Sequence, residues 1–229
     1  MRKLVFILNV FVGGCGQATN KQADVTINET VSEQIENDST IQNNPVENFR
    51  QIASDETIGN RTLKDYLSDE KIPQTFKIVF QQRKNPDVDE KTLAIIDSLF
   101  STDKERLPFY FLLVTRTMRW ADGAFAEPLG MAVKEYIESN TQQFLTYFST
   151  EIVLTQFDFK QWAKTTLYEI LIDSEENLEE LENTRNMMKK NCKGCSFEKI
   201  KMIDTFIEYM YAEYDELQRR NKEWEKNNL

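Results

Sequence analysis

LPFYFLLVTRTMRWADGAFAEPLG, residues 107–130, is the most hydrophobic stretch of the chain after its first dozen residues. Phe109 to Val114 is apolar on every side, a pattern that suits a buried strand or a buried helix equally. Length decides for helix, because the apolar character runs on through Met118 and Trp120, past the usual length of a strand. Ser101, Thr102 and Asp103 upstream are good N-cap residues, and Pro108 is tolerated only within a first turn. The spacing predicts a helix from close to Pro108 to near Ala121, then an Asp122-Gly123 turn. A new helix should start at Glu127-Pro128. A helix that is apolar on most sides lies in the middle of a bundle, so the rest of the domain should cover it.

Arg116 and Arg119 interrupt this element one turn apart, with Asp122 one turn further on. A buried guanidinium has to be paired, since an isolated charge out of water costs several kcal/mol. In one reading Arg116, Arg119, Asp122 and Glu127 form a small polar site at one end of the bundle. In the other, Arg119 pairs with Asp122, Arg116 reaches the surface and Glu127 sits favourably in the first turn of its helix.

Outward from this stretch the apolar spacing is helical almost throughout residues 49–220, a length that supports a single core. Leu63, Tyr66 and Leu67 mark a short helix, Ile72 to Phe80 is ambiguous, and Leu93, Ile96, Leu99 and Phe100 mark a helix capped by Asp87 or Asp89. Another helix over Leu129 to Ile137 is interrupted at Ser139-Asn140 and resumes at Phe144. Phe159, Trp162, Ala163, Leu167, Ile170 and Leu171 give a clean amphipathic helix. Ser174 should cap an acidic helix carrying Glu175, Glu176, Glu179, Glu180 and Glu182, with Leu178 and Leu181 facing inward. Ile200, Ile203, Ile207, Met210, Tyr214 and Leu217 then form a heptad seam. Phe206 and Tyr211 broaden that face, which favours packing on the bundle over a coiled-coil dimer. No hairpin dipeptide separates alternating runs. The expected fold is all-α, an irregular multi-helix bundle or a degenerate α-solenoid, with a frayed tail over 221–229.

At the other end of the chain, Arg2 and Lys3 precede a short apolar run, Leu4 to Val12, and then Gly13-Gly14-Cys15. The run is too short to span a bilayer and reads as a secretory signal. Val12-Gly13-Gly14-Cys15 resembles the lipobox of bacterial lipoproteins. The resemblance implies a signal peptide over residues 1–14, cleavage before Cys15, diacylglycerol on its sulfur and a third acyl chain on its amine. Two or three acyl chains anchor stably where one does not. Ordinary secretion with a free Cys15 is the alternative. Gly16 in place of an inner-membrane aspartate signal points to the outer membrane, facing the periplasm, in a bacterium that has one. Residues 15–48 are almost wholly polar and read as a flexible linker, with a reach on the order of 30 Å. Asp122-Gly123 followed by Glu127 and Gly130 resembles the helical domains of Gram-negative lipoproteins, a diffuse likeness that carries no functional residues across.

Cys192-Lys193-Gly194-Cys195 falls between the acidic helix and the last one. In an oxidising envelope the pair suits a small disulfide loop, and a CxxC ahead of a helix is also how thiol oxidoreductases lower a thiol pKa. Those enzymes carry the motif after a strand, a context absent here, and without a second CxxC the pair makes only half a metal site. No metal and no cofactor is expected. The chain has no histidine, which removes the usual general base and the Ser-His-Asp and Cys-His nucleophile systems. No glycine-rich loop reads as a phosphate cradle. Paired carboxylates abound but no pair stands out, so an enzyme is not expected. Formal charge is −10, and loss of Arg2 and Lys3 with the signal takes it to −12. Such a field repels nucleic acid and attracts basic partners.

These features predict a non-enzymatic cell-envelope lipoprotein, held to the membrane through Cys15, whose helical domain binds a protein. An immunity-type protein that neutralises a basic toxin through the acidic helix is a sharper form of that reading. A thiol oxidoreductase using Cys192 and Cys195 is the rival from another class, and a spacer or assembly factor is a third.

Overall fold

A computed structural model describes residues 51–82, 89–121, 123–173 and 178–228. Among these the fold is all-α, and the helices are α1 (Leu63–Ser68), α2 (Gln74–Gln82), α3 (Glu90–Asp97), α4 (Leu107–Thr117), α5 (Gly123–Ser139), α6 (Thr141–Thr150), α7 (Gln156–Asp173), α8 (Glu179–Asn191) and α9 (Phe197–Asn228). The ambiguous segment from Ile72 to Phe80 is thus helical. One hairpin escaped the sequence reading: β1 (Thr57–Ile58) pairs antiparallel with β2 (Arg61–Thr62) around Gly59-Asn60. Its arms are two residues long, too short to show alternation, and Gly59 takes the left-handed φ of 60° that the turn requires.

Helix α4 is the centre, with every residue from Phe109 to Thr117 buried. It begins at Leu107 with Pro108 in its first turn, where a missing N–H costs nothing. It ends at Thr117, slightly short of the expected Ala121. Helices α2, α3 and α7 pack around it, α5 crosses α3, α7 and α8, and α9 closes the bundle over α6, α7 and α8. The next helix starts at Gly123, not at Glu127-Pro128. Gly123 turns the chain with a φ of 45°, and Pro128 sits inside α5, leaving the carbonyl of exposed Ala124 to solvent.

The core is built of rings. Trp162 of α7 is fully buried, stacks on Phe111 with centroids 4.8 Å apart, and lies against Phe144 and Tyr136. Its indole Nε1 donates to Thr115 Oγ1 at 2.9 Å, so the one polar atom of the ring is satisfied inside α4. Ile203, Phe206, Ile207 and Met210 of α9 are buried in the same core, so the regular seam packs on the bundle. Where a frayed tail is expected, α9 continues to Asn228. Arg219 bridges Glu216 and Glu223 at three- and four-residue spacing, a pattern that supports an exposed helix.

A second set of contacts ties the hairpin to the start of α4. Tyr66 Oη donates to the carbonyls of Ile58 and Glu105, and Arg106 joins Asp69 to Asp103 while Arg61 reaches Asp69 at 2.7 Å. The Arg61 and Arg106 guanidiniums hold the Asp69 carboxyl well below the usual carboxylate range. Burial pushes the Tyr66 phenol up to about 12.

Candidate functional site

Of the polar group expected on α4, Arg116 and Arg119 turn to different neighbouring helices. Arg116 is buried and does not reach the surface; its guanidinium lies 4.1 Å from the Phe80 ring centroid of α2. Arg119 points to the opposite neighbour, pairing with Asp158 of α7 at 2.8 Å and covering the Phe157 ring. Asp158 also accepts from the backbone and hydroxyl of Thr155, the residue that opens α7. The pair therefore fixes where α7 starts. Sequence spacing could not find it, because 39 residues separate the partners. Glu127 is exposed on α5, and Asp122 lies outside the described residues.

Of the acidic face, Ser174, Glu175 and Glu176 lie outside the described residues, and the described helix begins at Glu179. Glu182 accepts from Tyr211 Oη at 2.9 Å and pairs with Arg185, while Glu180 accepts from Asn183. Leu181 faces the core as expected, and Leu178 is half-buried. Part of the acidic surface is thus spent on holding α8 to α9.

Cys192 and Cys195 are joined as a disulfide with Cα atoms 5.3 Å apart, closing the turn in which Gly194 adopts a φ of 82°. Cys192 is buried at the C-terminal end of α8, the negative end of the helix dipole. Cys195 is half-buried and stands two residues ahead of Phe197, where α9 begins. The bridge packs against the core and fixes the entry to α9. Among the described residues no group of three or more His, Cys, Asp or Glu could hold a metal ion. No described helix is long and apolar enough to cross a membrane.

A site that the sequence did not announce lies just beyond that turn. A groove of about 550 Å³ runs between the α6–α7 connection and the first half of α9. Phe148, Leu154, Phe159, Met202 and Tyr209 supply its apolar walls, and Lys201 and Glu198 its charges. Phe197 at its edge is 78% exposed, and Ile152, in the connection whose next residues form the other wall, is 71% exposed. The Glu198 carboxyl is lowered by hydrogen bonds from its own backbone N–H and from the Ser196 hydroxyl, which turn it back towards the start of α9. The one signal in the sequence was Phe197, an apolar residue directly after the cap Ser196 and off the seam that begins at Ile200.

No protein-family model, curated protein or solved structure matches this chain.

Proposed function

We propose that the chain is a non-enzymatic lipoprotein of the bacterial cell envelope, anchored through Cys15 and binding a protein partner through the groove beside Phe197. Exposure of Phe197 at the edge of an apolar groove carries the binding half of this reading. A phenylalanine left in water forgoes about 1.5–3 kcal/mol of burial, and one placed against apolar walls marks an interaction surface. The anchoring half rests on Val12-Gly13-Gly14-Cys15. The immunity-type reading through α8 draws less support, since Glu180 and Glu182 already have partners within the domain.

Two measurements test it. Cys15→Ser should move the protein from the membrane to the soluble fraction of the cell envelope; unchanged fractionation removes the anchor. A photo-crosslinking amino acid at position 197 should yield a discrete protein adduct in intact cells, and the same group at exposed Met131 of α5 should not. Equal labelling at both positions, or none at 197, defeats the binding reading.

A further inference from the structure

The Cys192–Cys195 bond joins two helices at a point where one of them is weakly held. Cys192 ends α8 inside the core, with its N–H donated to the Lys189 carbonyl. Cys195 stands just before Ser196, whose carbonyl accepts from the N–H of Ile200 and so opens α9. Beyond it Phe197, Glu198 and Lys201 are exposed, Ile200 and Met202 are half-buried, and full burial begins at Ile203. Lys199 Nζ adds one hydrogen bond to Thr146 Oγ1 of α6. A helix start with so little buried area opens locally with ease, and here a covalent bond stands in for packing. Glu198, Lys201 and Met202 of the same turns line the groove.

The two sulfurs differ in a way that suits exchange. Cys192 is buried, whereas Cys195 is half-buried between exposed Gly194 and Ser196, so an incoming thiolate reaches Cys195. Its attack on Cys195 Sγ forms a mixed disulfide and breaks the Cys192–Cys195 bond, with the electron pair leaving on Cys192 Sγ. That sulfur takes up a proton and stays in the core as a thiol, which behaves there as a small apolar group. The second thiol of a dithiol reductant then attacks the reductant's own sulfur in the mixed disulfide and releases Cys195 as a thiolate. A thiolate just ahead of α9 sits at the positive end of that helix, which stabilises it and makes it a good leaving group. The dithiol ends as a disulfide, two electrons having passed to the cysteine pair; one proton goes to Cys192 and the other to water.

We propose that this bond is a reducible latch: a dithiol opens it, the first turns of α9 loosen, and the groove loses the wall they supply. The device goes beyond the reading of the groove as a protein site. Its centre, the ordering of Phe197 to Met202 by the bond, does not depend on a partner.

Amide hydrogen exchange of the full chain with Cys15→Ser, whose only cysteines are the pair, reads the latch directly. Dithiothreitol should reduce the bond in the native protein, and exchange from Phe197 to Met202 should quicken about twentyfold, the chain-entropy value for so short a loop. Exchange from Phe206 to Met210, and in α4, should not change. Iodoacetamide added to the reduced protein should label Cys195 well ahead of Cys192. Cys195→Ser should show the fast exchange with or without dithiothreitol. A bond reduced only in denaturant, an unchanged rate over 197–202, or a rise spread evenly over the domain overturns the proposal. Crosslinking at position 197 separates the two readings. An adduct made equally by the oxidised and the reduced protein leaves the groove reading standing and removes the latch's control of it. Fast exchange on reduction with no adduct in either state leaves the latch standing and removes the partner.

Discussion

At its N-terminal end α4 is held by charges and backbone hydrogen bonds, whereas from Phe111 onwards it is held by stacked rings. The first region is the Arg61–Asp69–Arg106–Asp103 network with Tyr66 tied to two carbonyls and the Gly59 N–H donated to Glu151 at 2.9 Å. The second is Phe111, Phe144, Tyr136 and Trp162, in which Thr115 meets the indole and little else is directional. Ring burial depends on area and volume, so that region should respond to lost size and ignore pH. The network depends on angle and ionisation, so it should respond to isosteric changes that remove a charge.

The largest effect should come from emptying the aromatic centre. Trp162→Ala leaves a cavity and takes the indole donor from Thr115, whose hydroxyl keeps only its bond to the Phe111 carbonyl, and should cost about 3–5 kcal/mol in urea unfolding. A loss under about 1 kcal/mol would mean that the rings are not the core. Asp69→Asn, nearly isosteric, should cost less, about 2 kcal/mol at neutral pH, because it weakens charged hydrogen bonds to two arginines.

The pH dependence separates the two regions. Asp69 and Asp103 titrate below their ordinary value when folded, so their contribution is fully present above the unfolded pKa of about 4 and is lost as pH falls below it. The stability gap between wild type and Asp69→Asn should therefore narrow from pH 5 towards pH 2, while the gap for Trp162→Ala should stay constant. Melting temperatures across that range check both, and parallel curves for all three proteins would dissolve the distinction.

Smaller still is the hinge of the hairpin. Gly59→Ala should cost about 1–2 kcal/mol, since an L residue resists a φ of 60° and its Cβ would stand 2.8 Å from Pro108 Cγ. The smallest effect is expected from Tyr136→Phe. The Tyr136 hydroxyl is buried without a hydrogen-bond partner among the described residues, and burial raises its pKa far above the ordinary value. Deleting it should change stability by less than about 0.5 kcal/mol, or raise it. A loss of 2 kcal/mol would reveal a partner for that oxygen.

Helix periodicity was legible wherever one face of an element is buried and the other wet. Leu63 to Leu67, Phe159 to Leu171 and Ile200 to Met210 all declared themselves, as did the break at Ser139-Asn140. The all-apolar run at Phe109 also placed α4 at the centre, because only a helix surrounded by others can be apolar on every side. Boundaries were less legible. Pro128 suggested a helix start, yet α5 had already begun at Gly123, since a proline near an exposed turn loses only a bond that water replaces.

The partners of charges were decided by packing. The crossing of α4 and α7 set Asp158 against Arg119, 39 residues away in sequence. Arg116 was turned onto Phe80 by the same packing. The groove has no sequence motif, because its walls come from Phe148, Phe159, Met202 and Tyr209 on three separate helices and from Leu154 in the α6–α7 connection. Hydrophobic pattern acts within one element and can be read along the chain. Pairing and concavity arise between elements, and exist only once tertiary contacts have chosen which helix faces which.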